Sequence, residues 1–345
     1  YDLDYLHFLL AEFYYKELFK YSNTRIFFDW NRHTPDTSAI YSALNSINSL
    51  YLIYPRSFFN ASTPLIKTNA DICFSFSKLI DIEYESGSEY KYYIIVGSYF
   101  SYKSDEIINR SKNLRNQFFC NTVKHVFCYF DENTIDQKEF FDGHHVLQED
   151  ISEIMSFLEK EKSIGLVLKP KKISNFFDRL GNLNGKLKKL INQKRIYVYE
   201  DPNILVSEAA LVSDFVIHCS AHASTAAIES VLSGKRTVLL NKNNYTKISK
   251  IKMKKNINYI NSISEFTSLF KDHITSKNKS KFGLWDNEML DLIDPYRDGL
   301  CHLRIGEFIN DLSSQLNKNY SKERAIEYAV NSFSLKWGKD KVIKF

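Results

Sequence analysis

Apolar residues recur at three- and four-residue intervals through DLDYLHFLLAEFYYKELFKY, the period of an amphipathic helix. The period then shortens. TRIFFDW reads as a short strand, TSAIYSALNSI after Pro35 and Asp36 as a helix, and LYLIY, DICFSF and KYYIIVGSY as strands set between loop residues. A helix over DEIINRSKNLRNQFF leads into the most regular region. There the apolar runs HVFCYF, GLVLKPK, RIYVYE, DFVIHC and RTVLLN alternate with the helical stretches DISEIMSFLEKEKS, FFDRLGNLNGKLKKLINQ, ILVSEAALVS, STAAIESVLSG and SISEFTSLFKDH. Strands that are apolar throughout are buried on both faces, so this half is predicted to be a doubly wound parallel sheet covered by helices. The first half, with its own alternation, is predicted to be a second α/β layer. Two helices close the chain. The last begins near Ser321 and sets Ile326, Ala329, Val330, Phe333 and Trp337 on one face, which demands burial.

Composition narrows this picture. A chain of 345 residues is long for one core and comfortable for two. With 44% hydrophobic and 25% charged residues it is neither disordered nor fibrous. A net charge of +5 with dispersed lysines argues against a nucleic-acid partner. The densest basic runs are KPKK at Lys169 to Lys172 and KISKIKMKK ending at Lys255; the second is either a solvated face or a peripheral membrane contact with acidic headgroups. Cys73, Cys120, Cys128, Cys219 and Cys301 are odd in number and lack CxxC spacing, which favours free thiols in a reducing compartment. No run of about 18 apolar residues and no signal peptide is present. The expectation is a cytoplasmic protein, at most at the inner face of the membrane. The first residue is Tyr1, which leaves room for an incomplete first domain.

Ligands of parallel α/β sheets sit beyond the carboxyl ends of the strands, so the residues after each strand carry the candidate chemistry. DFVIH ends on His218 and is followed by Ser220 and His222, then a helix opening at Ser224 and Thr225 and stopping at Gly234. Such a helix start offers free NH groups and its dipole to a phosphate, and Glu229, one turn below Thr225, can accept from a ribose diol. Equally, Ser224 caps the helix and Glu229 is a solvated helix residue. Lys169 and Lys171 follow the GLVLKPK strand and can neutralise a diphosphate or form an exposed basic turn. Asp131, Glu132 and Asn133 after HVFCYF can bind a hydroxylated ligand, supply a base, or cap the next turn. In RIFFDWNRHTPD, Asp29 and His33 are candidates for general-base work on a hydroxyl nucleophile, against a polar loop as the alternative. Walker, GxGxxG, GxSxG and HExxH patterns do not occur.

The ordered run FDEN, GLVLKPK, SEAALVSDFVIH, STAAIESVLSGKRTVLLN and DPYRDG resembles the nucleotide-sugar half of bacterial surface-polysaccharide glycosyltransferases, of capsule or O-antigen type, with GT-B architecture. The resemblance spans roughly Lys124 to Gly338. It implies two Rossmann-like domains facing a cleft: residues 1–120 presenting a glycan or lipid-linked acceptor, residues 121–320 binding a nucleotide-sugar, and a helix in 321–345 crossing back. It also implies donor phosphates at Ser224 and Thr225, ribose at Glu229, no cofactor and no catalytic metal. The first half is short for a complete acceptor domain. Rival readings keep the fold: a sugar-nucleotide epimerase, a teichoic-acid-like glycerophosphotransferase, or a non-catalytic nucleotide-binding module.

Overall fold

The computed structural model describes residues 2–30, 36–101, 104–136, 143–221, 225–276 and 280–345. They form two compact units. Unit 1 comprises residues 1–102 and 291–345, and unit 2 is the intervening 103–290.

In unit 1 the chain runs through α1 (Asp2–Tyr21), β1 (Ile26–Asp29), α2 (Thr37–Ser46), β2 (Leu50–Ile53), β3 (Asn69–Ser75), α3 (Ile80–Glu85) and β4 (Glu89–Ile95). These four strands pair in parallel in the order β1-β2-β3-β4. Unit 2 contributes α4 (Asp105–Phe118), β5 (His125–Phe130), α5 (His144–Lys160), β6 (Ile164–Lys169), α6 (Phe176–Leu180), α7 (Asn184–Asn192) and β7 (Ile196–Val198). It continues with α8 (Val206–Val212), β8 (Phe215–His218), α9 (Thr225–Leu232), β9 (Arg236–Leu240), β10 (Tyr259–Ile260) and α10 (Ile263–Thr275). After α11 (Asn287–Ile293), unit 1 is completed by α12 (Cys301–Asn317), α13 (Lys322–Trp337) and β11 (Val342–Lys344). The last of these pairs antiparallel with β4, a partner the hydrophobic pattern does not announce.

Among the described residues the sheet of unit 2 is parallel throughout, with strand order β10-β9-β8-β5-β6-β7. The chain winds outward from β5 through β6 to β7, returns across the sheet to β8, and winds outward again. Alternate residues of each strand supply separate cores, with Phe127 and Tyr129 on one face and Val126, Cys128 and Phe130 on the other. That is the doubly wound layering expected of continuous apolar strands.

Two features depart from the sequence expectation. The single helix expected over FFDRLGNLNGKLKKLINQ is broken into α6 and α7, because Gly181 takes φ +52° between them. The expected boundary at residue 120 falls before α4 instead. Arg110 forks onto Glu208 at 2.8 and 3.2 Å, and Arg115 onto Asp214 at 2.8 and 2.9 Å, which fastens α4 to unit 2.

The DPYRDG stretch is a structural hub of unit 1. Asp294 is fully buried and accepts from the backbone NH groups of Ser98, Tyr296 and Arg297 and from the Ser101 hydroxyl. Arg304 binds Asp298 and donates to the Val96 carbonyl at 3.1 Å, its guanidinium lying 3.5 Å from the Tyr296 ring centre and 4.6 Å from that of Trp337. Further along, buried Lys322 reaches Asp71 of β3 at 3.0 Å and the Ser49 carbonyl at 2.9 Å. No helix among the described residues is long and apolar enough to cross a membrane.

Candidate functional site

In unit 2, β5 has β6 on one side and β8 on the other, so the winding reverses between β5 and β8. Crevices at such reversals are where open α/β sheets hold ligands. The strand register brings the edge residues together, Phe130 lying opposite both Lys169 and His218. Sequence positions 130, 169 and 218 therefore meet on one rim.

Beyond Phe130 the chain is held from below. Arg179 of α6 donates to both carboxylate oxygens of Asp131, at 3.1 and 2.6 Å, and also to the Glu132 carbonyl and the Thr134 hydroxyl. Both partners are buried. Burial pushes the Asp131 carboxyl above its ordinary value, against the opposing pull of the Arg179 fork. With both oxygens engaged by a guanidinium, Asp131 is a framework residue here, which is a correction to its candidacy as a base.

Glu132 faces the rim. Its carboxylate meets Lys171 at 2.5 Å and stands 3.4 Å from His218 Nε2. Burial alone would raise its carboxyl, but His218 and Lys171 together draw it down to about 2. His218 is buried, and its Nδ1 lies 2.7 Å from the Ser220 carbonyl and 3.2 Å from the Ser220 NH. Both ring nitrogens thus face protein groups, and His218 shapes the loop after β8. Lys171 is exposed apart from its pairing with Glu132, and the side chain of Asn133 is met by Asn175 at 3.4 Å.

Lys169 and Glu229 make the other half of the site. Lys169 is 9% exposed; its backbone carbonyl accepts from the Asp131 NH at 3.4 Å, while its ammonium makes no hydrogen bond or ion pair with any described residue. Burial lowers its ammonium pKa, opposed by the charges of Cys128, Asp201 and Glu229. Glu229 is a buried residue of α9 whose Oε1 accepts from the Ser207 NH at 2.8 Å, in the first turn of α8. Burial pushes its carboxyl up to about 7, with the Ser207 hydrogen bonds and Lys169 opposing. Thr225 opens α9, which follows β8 directly and so starts at the same edge. The solvated alternative for Glu229 is thereby removed.

Asp29 lies in unit 1 at the end of β1, where it accepts from the Tyr51 hydroxyl at 3.2 Å and the Trp30 NH at 2.7 Å. His33, His222 and Ser224 lie outside the described residues. The residues that sequence reasoning misses are Arg179 and Ser207. Both sit inside helical patterns, where a charge or a hydroxyl reads as surface.

No protein-family model matches the sequence, and no curated protein matches it either. Solved structures do. The wall teichoic acid polymerase TagF aligns with TM-score 0.54 and 13% identity over 85% of this chain and 74% of that one. A Listeria monocytogenes protein described as a UDP-N-acetylglucosamine 2-epimerase gives 0.51 and 13% over 87% and 77%. The Anabaena protein HepE, in complex with UDP and glucose, gives 0.50 and 13% over 83% and 77%. The chain has a GT-B-type fold. At this identity the likeness speaks for fold alone, and the chemistry rests on the residues just described.

Proposed function

We propose that the chain is a glycosyltransferase that moves a sugar from a nucleoside-diphosphate donor to an acceptor hydroxyl on a surface glycan or lipid-linked acceptor. The observation that carries this is the pair Lys169 and Glu229: a lysine 9% exposed overall whose ammonium has no hydrogen-bond or ion-pair partner among the described residues, and a buried carboxyl raised to about 7. An unpartnered buried cation calls for an anion, and a buried carboxyl calls for a hydroxyl donor. Diphosphate and ribose supply both.

In this reading the donor diphosphate lies at the first turn of α9, with Thr225 and Lys169 around its oxygens, and the ribose hydroxyls meet Glu229. Charge develops on the leaving phosphate as the anomeric bond breaks, and fixed donors at that point lower the barrier. Glu132, His218 and Ser220 set the loop that brings these groups together. In this reading no divalent metal takes part. UDP is the first donor nucleotide to test, because a GT-B-type neighbour holds it.

Calorimetric titration with UDP and a donor-hydrolysis assay with and without EDTA test the proposal. Binding by the wild-type protein, lost in Lys169→Met, supports it; a folded protein that binds none of UDP, GDP, CDP or dTDP refutes it. Isomerisation of a donor sugar without acceptor would replace transfer by epimerisation at the same site.

A further inference from the structure

Unit 1 contains a concavity that the donor chemistry does not use. Phe28 and Trp30 at the end of β1, Tyr54 after β2, Tyr99 after β4, and Ile305 and Gly306 of α12 line a cavity of about 560 Å³. That volume suits a small-molecule ligand. Phe28 lies in β1 and Trp30 directly after it, and both line the cavity. They are 42% and 60% exposed, which is unusual for two large apolar side chains bordering one cavity.

The tyrosines present carbon to this space. The Tyr54 hydroxyl donates to the Gly97 carbonyl at 3.0 Å, and the Tyr99 hydroxyl to the Arg56 carbonyl at 3.1 Å. Asp29, between the two exposed rings in the chain, turns its Oδ2 to Tyr51 instead. A sugar ring placed here would find few polar partners among the described lining residues to replace the hydration of its hydroxyls, whereas a hydrocarbon chain would gain from leaving water. Among the described lining residues His302 is an exposed polar side chain.

We infer that this pocket takes the hydrocarbon chain of an amphiphilic acceptor, an alkyl or prenyl aglycone, with its hydrophilic end outside at the rim. The word acceptor rests on the transferase proposal; the hydrocarbon preference rests on the pocket. Gly306 provides the control. A Cβ added there meets no atom within 4 Å, so the backbone accepts a side chain at this lining position, and Gly306→Phe puts a ring at the cavity. Ile305→Asp places a carboxylate in it.

The test is calorimetric titration of the full chain with octyl β-glucoside below micelle formation and with methyl β-glucoside, beside flotation with phosphatidylcholine vesicles. The expected result is octyl glucoside binding that weakens at least about tenfold in both variants, with no methyl glucoside binding and no flotation. Equal affinity in wild type and both variants, equal affinity for the two glucosides, or absent octyl binding overturns the inference. Flotation that Gly306→Phe abolishes would assign the chain to membrane lipid and overturn the acceptor assignment. UDP titration of the same samples separates the two proposals: UDP binding unchanged in the variants leaves the donor site intact, and octyl binding without UDP binding rejects the donor site alone.

Discussion

Glu229 enters the site from within a helix, and its raised carboxyl links binding to pH. Its folded-state value of about 7 lies above that of an unfolded glutamate. Its contribution to stability is therefore full below the unfolded value, and is lost as pH rises through about 7. Thermal melts should show wild type losing stability against Glu229→Gln between about pH 5 and 7. Nucleotide affinity should move the other way, since the ionised carboxylate is the better acceptor for a ribose hydroxyl. Uridine, which has no phosphate to titrate, should bind wild type more tightly above pH 7, with no such rise in Glu229→Gln. Glu229→Ala should weaken UDP binding by roughly 10- to 100-fold, the worth of a hydrogen bond to a charged group. A second residue-scale expectation concerns Arg179. Replacing it with Met leaves the Asp131 carboxylate buried without a counter-charge and should cost about 3–5 kcal/mol in urea melts, part of which Asp131→Asn should restore. The sequence shows Lys169, Glu132 and Glu229 because each stands at a strand end or one turn into a helix. It hides Arg179, since the partner lies 48 positions away and a charge on an amphipathic helix ordinarily points to water.

At the scale of elements, periodicity identifies helices and strands well where burial is two-sided and less well where a single backbone angle decides. The largely apolar runs over β5, β6, β8 and β9 are short and set between helical stretches, the pattern of strands covered on both faces. The break between α6 and α7 depends on the φ of one glycine, and β11 has too few residues to show a period. Gly283 illustrates the same limit. It holds φ +75°, donates its NH to the Ile257 carbonyl and accepts from Thr237 of β9, tying the chain after α10 to the sheet. A Cβ there would lie 2.5 Å from the Phe215 ring. Gly283→Ala should therefore destabilise unit 2 by about 2–4 kcal/mol, from overpacking and a strained φ together, measurable by denaturant unfolding.

For the whole molecule, the helical period of α4 says nothing of which sheet it covers. Ion pairs to Glu208 and Asp214, across about a hundred positions, make that choice. The return of α12, α13 and β11 to unit 1 is fixed in the same way, by Asp294, Arg304 and Lys322. Lys322→Met should lower the melting temperature of unit 1 by removing one of two ammonium partners of buried Asp71, at a cost of about 2 kcal/mol, while UDP binding by unit 2 is unchanged. The same chain path sets an order of events on the ribosome. Unit 2 is an insertion, so all of its residues are synthesised before the last segment of the unit that surrounds it. Residues 291–345 take roughly 3 to 11 s to appear at elongation rates of about 5–20 residues per second. For those seconds β4 has no β11 beside it and Asp71 no Lys322, so the unit that emerges first is the one that finishes folding last.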